Sequence, residues 1–172
     1  MEQIISQGGH FVMMVKKNQP ASYEEIIEQF EEMKKDQGRM AEDSAWKSRY
    51  PQFMEKYDEV TYSEKNRDRY EYRNYKIIND ASFVSKTEKQ WPFLKSVGCA
   101  EQIRILIVKD EDGNDITPSK EQFLREGSVR QPAPLKGDGE STDIQVVGII
   151  SDKEMSAEEM GWCKRNHWSV EN

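Results

Sequence analysis

Residues 144–172 read IQVVGIISDKEMSAEEMGWCKRNHWSVEN, and the reading of this stretch decides the fold. Residues 144–150 (IQVVGII) form a short apolar run of the kind a buried strand needs. Ser156 and Glu159 then make an S-x-x-E capping box, in which hydroxyl and carboxylate each satisfy a backbone N–H at a helix start. Met155 and Met160 are spaced to close a hydrophobic staple over that start. A strand leading directly into a helix is therefore expected. Along the helix Met160, Lys164, His167 and Glu171 recur three or four residues apart, which stacks them on one face. The plain reading of such a row is a solvated stripe with an ion pair. The alternative is a functional face carrying a basic, a titratable and an acidic side chain.

Working outward, residues 1–7 read as the tail of a helix stopped by Gly8 and Gly9. Residues 11–16 (FVMMVK) are a second apolar run, as in a strand buried on both faces. Pro20 breaks it, and Ser22 with Glu25 makes another capping box ahead of Tyr23, Ile26, Ile27, Phe30 and Met33, the spacing of an amphipathic helix closing near Gly38. Residues 39–66 are polar, with Trp46, Tyr50, Phe53 and Tyr57 at no sustained period, and read as loop with short helical pieces. Residues 69–78 (RYEYRNYKII) alternate as a strand and end at the turn signal Asn79-Asp80. Residues 103–109 read as a further strand, with the hairpin tip DEDGND after it. That tip does not match a calcium loop, because its glycine comes one place early and no glutamate closes it. Residues 117–143 turn to Pro, Gly, Ser and charge, the composition of an exposed loop.

The bulk composition bounds the function. A chain of 172 residues suffices for a compact domain, and with 35% apolar and 33% charged residues its surface is heavily charged. Neither a signal peptide nor an apolar run near the ~20 residues of a membrane span is present, so a cytoplasmic protein without membrane contact is expected. Cys99 and Cys163 lie far apart without a C-x-x-C partner and read as buried thiols rather than zinc ligands or a disulfide. A net charge of −7 gives no general footprint for nucleic acid, so any DNA contact must be local. The most basic stretch is 65–76, where Lys65, Arg67, Arg69, Arg73 and Lys76 outnumber Asp68 and Glu71, with Tyr70, Tyr72 and Tyr75 between them. Basic residues among aromatics suit a nucleic-acid strand. An exposed strand with cross-strand ion pairs fits the same residues. Trp91 suits insertion beside a base or packing in a loop.

Residues 167–172 (HWSVEN) resemble the H-W-x-I-E-N signature of insertion-sequence transposases of the ISAs or H-repeat-associated type. Other pieces fall in that family's order. GGHFVMMVKKNQP (8–20) resembles its G-x-Y-V-x-x-V-K-x-N-Q-P strand, KNRDRYEYRNYKI (65–77) its H-G-R-x-E-x-R-x-Y segment, KQWPFLKSVG (89–98) its W-P-G-L-K segment, and VVGIISD (146–152) its Y-Y-I-S-S strand. The resemblance implies an α+β fold with a partial RNase H-like core and a β-rich insertion before the final catalytic helix. In that scheme the chain is a single C-terminal domain over 1–172, with core pieces at 1–20 and 144–172 and an inserted region at 21–143 that includes the loop 110–143.

In function, the resemblance implies metal-dependent DNA cleavage and strand transfer at insertion-sequence ends, with Glu171 as the last carboxylate of a DDE triad and a ligand for Mg²⁺. Three carboxylates are needed there because two cations about 3.5–4 Å apart sit over the scissile phosphate. His167, one turn earlier, is expected to touch a phosphate or orient Glu171. Lys17, Asn18, Gln19, Arg69, Arg73 and Lys164 are the expected DNA contacts, although solvated strand ends account equally well for the first three. The expected partners are DNA and either further copies of the chain or a full-length transposase. The departures are Phe93 in place of the family's glycine, a longer acidic stretch at 110–143, a helix cut short after Glu171, and two aspartates that belong to segments preceding the matched pieces. An inactive fragment is therefore expected, and a noncatalytic DNA- or protein-binding domain on the same scaffold is the alternative.

Overall fold

The computed structural model describes residues 2–39, 53, 55–66, 69–106, 109–114 and 143–166. Its elements run α1 (Glu2–Ser6), β1 (Val12–Val15), α2 (Pro20–Arg39), β2 (Tyr57–Asn66), β3 (Arg69–Ile78), a 3-10 turn (Ala81–Val84), α3 (Ser85–Gln90), β4 (Ser96–Leu106), β5 (Asp143–Ser151) and α4 (Ala157–Asn166). The strands form one five-stranded antiparallel sheet in the order β1-β5-β4-β3-β2. Val12 faces Ser151 and Val15 faces Gly148 in the β1–β5 register. The fold is thus mixed α/β, with β1 paired to β5 and α4 packed beside β1.

Contacts divide the chain into two compact units, one of Met1–Val60, Tyr75–Ala100 and Val147–Asn172, the other of Thr61–Asn74 and Glu101–Val146. The first holds a core in which Ile26, Phe30 and Met33 of α2, spaced one helical turn apart, are at most 2% exposed. Burying each such side chain contributes about 1.5–3 kcal/mol. Phe83 sets its ring edge-on to both Phe30 and Phe53, with centroids 5.2 Å apart in each pair. Gly148 lets α2 approach β5, since a Cβ there would lie 3.0 Å from Ile26 Cδ1.

The first helix ends as its glycines demand. Gly8 has φ +77°, and the amides of Gly8 and Gly9 donate to the carbonyls of Ile5 (3.0 Å) and Ile4 (2.9 Å), a Schellman closure. The box at α4 also forms as expected: Glu159 N–H donates to Ser156 Oγ (3.1 Å) and Ser156 N–H to Glu159 Oε2 (2.9 Å). Asp58 from β2 adds a further cap by accepting the Ala157 amide at 2.8 Å. Asn79 brackets the entry, donating to Met155 O and accepting from Met155 N.

Four expectations are corrected. The Ser22/Glu25 box does not cap α2, which instead starts with Pro20 in its first turn, where the missing N–H costs nothing. Ser22 Oγ donates to Gln90, and Glu25 accepts from the amides of Lys86 and Thr87 and from the Thr87 hydroxyl, so both side chains tie α2 to α3. Residues 57–66 are a strand rather than loop, because β3 supplies the pairing that their charged sequence hides. β4 begins at Ser96, seven places before the expected start, because Val97, Cys99 and Ala100 are all buried and their run lacks alternation. β1 is an edge strand, and its Val12, Met13 and Met14 are only half-buried. The expected loop at 117–143 lies outside the described residues except for Asp143, which opens β5.

In the second unit, Arg73 bonds Glu71 and reaches Glu64 at 3.0 Å, while Arg104 stands 3.8 Å from Glu71. Glu71 is 3% exposed, so these guanidinium groups compensate a buried carboxylate. At the turn after β4, Asp110 accepts from the amides of Asp112 and Asn114, and Gly113 takes φ +83°.

Candidate functional site

The segment after β1 is held by its own turn chemistry. Gln19 N–H donates to Lys16 O at 2.8 Å, closing a turn over residues 16–19, and Gln19 O accepts Tyr23 N–H as α2 begins. Pro20 starts the helix at once, so Lys16, Lys17, Asn18 and Gln19 project from a fixed corner. The start of β1 is equally well anchored. Asp152, 5% exposed, accepts Phe11 N–H at 2.7 Å on one oxygen and meets His10 Nδ1 at 2.9 Å on the other, and Ser151 Oγ donates to Phe11 O at 2.8 Å. Burial pushes the Asp152 carboxyl up, but the Phe11 amide and His10 outweigh it and hold it below the ordinary carboxylate range.

Beside this strand lies a cavity of about 370 Å³, lined by Val12, Met13 and Met14 of β1, Lys16, Asn18 and Gln19 of the corner, Ile149 of β5, and Cys163 and Lys164 of α4. Such a volume is within the range of small-ligand pockets, about 300–1,000 Å³. Among the described residues no carboxylate lines it, whereas two lysines and two side-chain amides do. Burial and Glu159 raise the Cys163 thiol, so it stays uncharged at neutral pH. An anion held here would meet ammonium charges and amide donors against a wall of low polarity, where Coulomb attraction is stronger than in water.

Three of the expected DNA contacts, Asn18, Gln19 and Lys164, thus converge on one cavity although some 145 residues separate corner from helix. Lys17 shares the corner and is exposed, but does not line the cavity. The row beginning Met160, Lys164 is not a solvated stripe where it is described: Met160 is fully buried and Lys164 half-buried. His167 and Glu171 lie outside the described residues. Arg73, 15% exposed, is engaged by Glu64 and Glu71, so a phosphate there would compete with two carboxylates. Arg69 belongs to β3, and its side chain lies outside the description. Cys99 is buried as expected, but Cys163 is half-buried at the cavity wall.

Sequence reading missed Lys16, Met13, Met14, Ile149 and Cys163 as cavity residues, and missed the His10–Asp152 pair. The only signal for them was position, since Lys16 adjoins Lys17 and Cys163 adjoins Lys164. No family model, curated protein or solved structure matches the chain. Among the described residues no three His, Cys, Asp or Glu side chains gather as a metal site, and no helix is long and apolar enough to cross a membrane.

Proposed function

We propose that the chain is the C-terminal part of a DDE-type insertion-sequence transposase with an RNase H-like core, and that the cavity beside β1 grips the DNA backbone near the reacting strand. One observation carries the reading. The corner Lys16–Gln19 and the helix leading to His167 and Glu171, which belong to two separate family-like segments, line the same cationic cavity. In this reading Lys16 and Lys164 supply charge to a phosphate, while Asn18 and Gln19 fix its orientation through directed hydrogen bonds. The buried start of α4 holds Lys164 in place. Glu171, seven residues further along the sequence, is the residue the resemblance assigns to Mg²⁺. The described carboxylates do not cluster to share a cation, so no metal-dependent step is assigned to them.

The test is DNA binding by fluorescence anisotropy across a salt series. Wild-type protein is expected to bind weakly with a steep salt dependence. Lys16→Ala and Lys164→Ala should each lower the affinity and reduce the slope of log K against log salt by about one. If wild type does not bind even at low salt, the reading fails. It also fails if the loss is confined to Arg73→Ala, which would move the interface to β3.

A further inference from the structure

The cavity is larger and less polar than a backbone phosphate needs. A phosphate displaces only a few waters of about 30 Å³ each, whereas the space is about 370 Å³ and much of its wall is Val12, Met13, Met14, Ile149 and the uncharged Cys163. Duplex DNA presents phosphates and groove edges to a protein and keeps its base faces stacked inside. A duplex could therefore place a phosphate at Lys16, Lys164, Asn18 and Gln19 but would leave the apolar wall facing water. An unpaired nucleotide fills both halves. Its phosphate meets the lysines and amides, and its base lies against Met14, which the alternation of β1 puts on the face opposite Val15 and beside Ile149, and whose polarisable sulfur favours aromatic faces.

The geometry points to a subsite for one unpaired nucleotide of a DNA strand, with the phosphate at Lys16 and Lys164 and the base against Met14 and Ile149, which face each other across β1 and β5. This deepens the DNA-binding reading above and rests on it. Nothing in the wall dictates which base is held, because stacking on methionine and aliphatic carbon tolerates every base. The protein should accordingly prefer single-stranded or frayed DNA to blunt duplex without strong sequence preference.

Two measurements test this. In the first, a short oligothymidylate, the same strand with abasic sites, and a blunt duplex compete for wild-type protein. The single strand should bind about tenfold more tightly than either of the others, the effect of seating one base. The second needs no variant that could misfold in the readout. Protein carrying ¹³C-methyl methionine is titrated with the same probes, after Met13→Leu and Met14→Leu have been used only to assign signals. The Met14 methyl resonance should shift with the oligothymidylate and stay unmoved with abasic strand or duplex, while Met13, on the opposite face of β1, serves as the control and stays unmoved throughout. Equal affinities for all three probes, with the Met14 methyl unmoved and Lys16→Ala still weakening binding, would overturn the nucleotide subsite and leave the backbone grip standing. Failure of every probe to bind would overturn both. Shifts with free thymidine monophosphate but not with the oligonucleotide would assign the cavity to a free nucleotide and overturn the strand-borne form.

Discussion

Gly161→Ala is the sharpest test of how α4 is seated. Gly161 is buried, and an added Cβ would lie 2.8 Å from both Cδ2 and Cε2 of Tyr75 and 3.3 Å from its Cγ. The tyrosine is 1% exposed, so its ring has little room to swing away. On helix propensity alone, alanine would stabilise by about 1 kcal/mol relative to glycine. Overpacking against a ring that cannot yield costs up to about 3 kcal/mol and outweighs that gain. The expected net loss is about 1–2 kcal/mol, or roughly 2–8 °C in Tm for a chain of this size. Because Lys164 follows three residues later, a helix pushed off Tyr75 also carries its ammonium away from the corner, and DNA affinity should fall with stability. The assay is urea and thermal denaturation of wild type, Gly161→Ala, Tyr75→Leu and the double variant. Tyr75→Leu should cost less in the alanine background than alone, since it also relieves the clash. Gly8→Ala is a contrasting case: nothing lies within 4 Å of its added Cβ, yet φ +77° makes any side chain there strained, at about 1–2 kcal/mol. A Gly161→Ala protein as stable as wild type, with no coupling to Tyr75, would show that the helix is not seated as described.

Two further outcomes are expected. Asp152 is held below the ordinary carboxylate value of 3.8, so its stabilising contribution is fully present above that pH and disappears as pH falls through the depressed folded value. Asp152→Asn should therefore lower stability at neutral pH by about 1–3 kcal/mol and flatten the acid limb of the urea midpoint, whereas parallel profiles would contradict this account. Finally, the chain by itself should neither nick nor join DNA carrying element ends in Mg²⁺ or Mn²⁺, since Glu171 is the only carboxylate the resemblance matches to a triad and bridging two cations requires acids from separate elements. Metal-dependent nicking that vanishes in Glu171→Gln would reveal an assembled site and remove the fragment reading.

Sequence by itself determined those elements whose signals are local. The Ser156/Glu159 box, the Gly8-Gly9 stop and the Asp110–Asn114 turn all form as written, because each depends on bonds within a few residues, and residues 69–78 form the expected strand although 74–78 are buried without alternation. Asn18, Gln19 and Lys164 were picked out individually, without any sign that they share a cavity. Tertiary structure decided the rest. Ser22 and Glu25 carry the letters of a cap, yet α3 offers their oxygens better partners across the fold. Residues 57–66 become a strand because β3 lies beside them, and the apolar β1 stands at the edge because, among the described strands, β5 alone pairs with it. Arg73 reads as a cation for DNA until Glu64 and Glu71 are brought against it. The cavity has the same origin: its cations and its apolar wall come from residues 12–19, 149 and 163–164, and only the pairing of β1 with β5 and the packing of α4 beside β1 set them around one space.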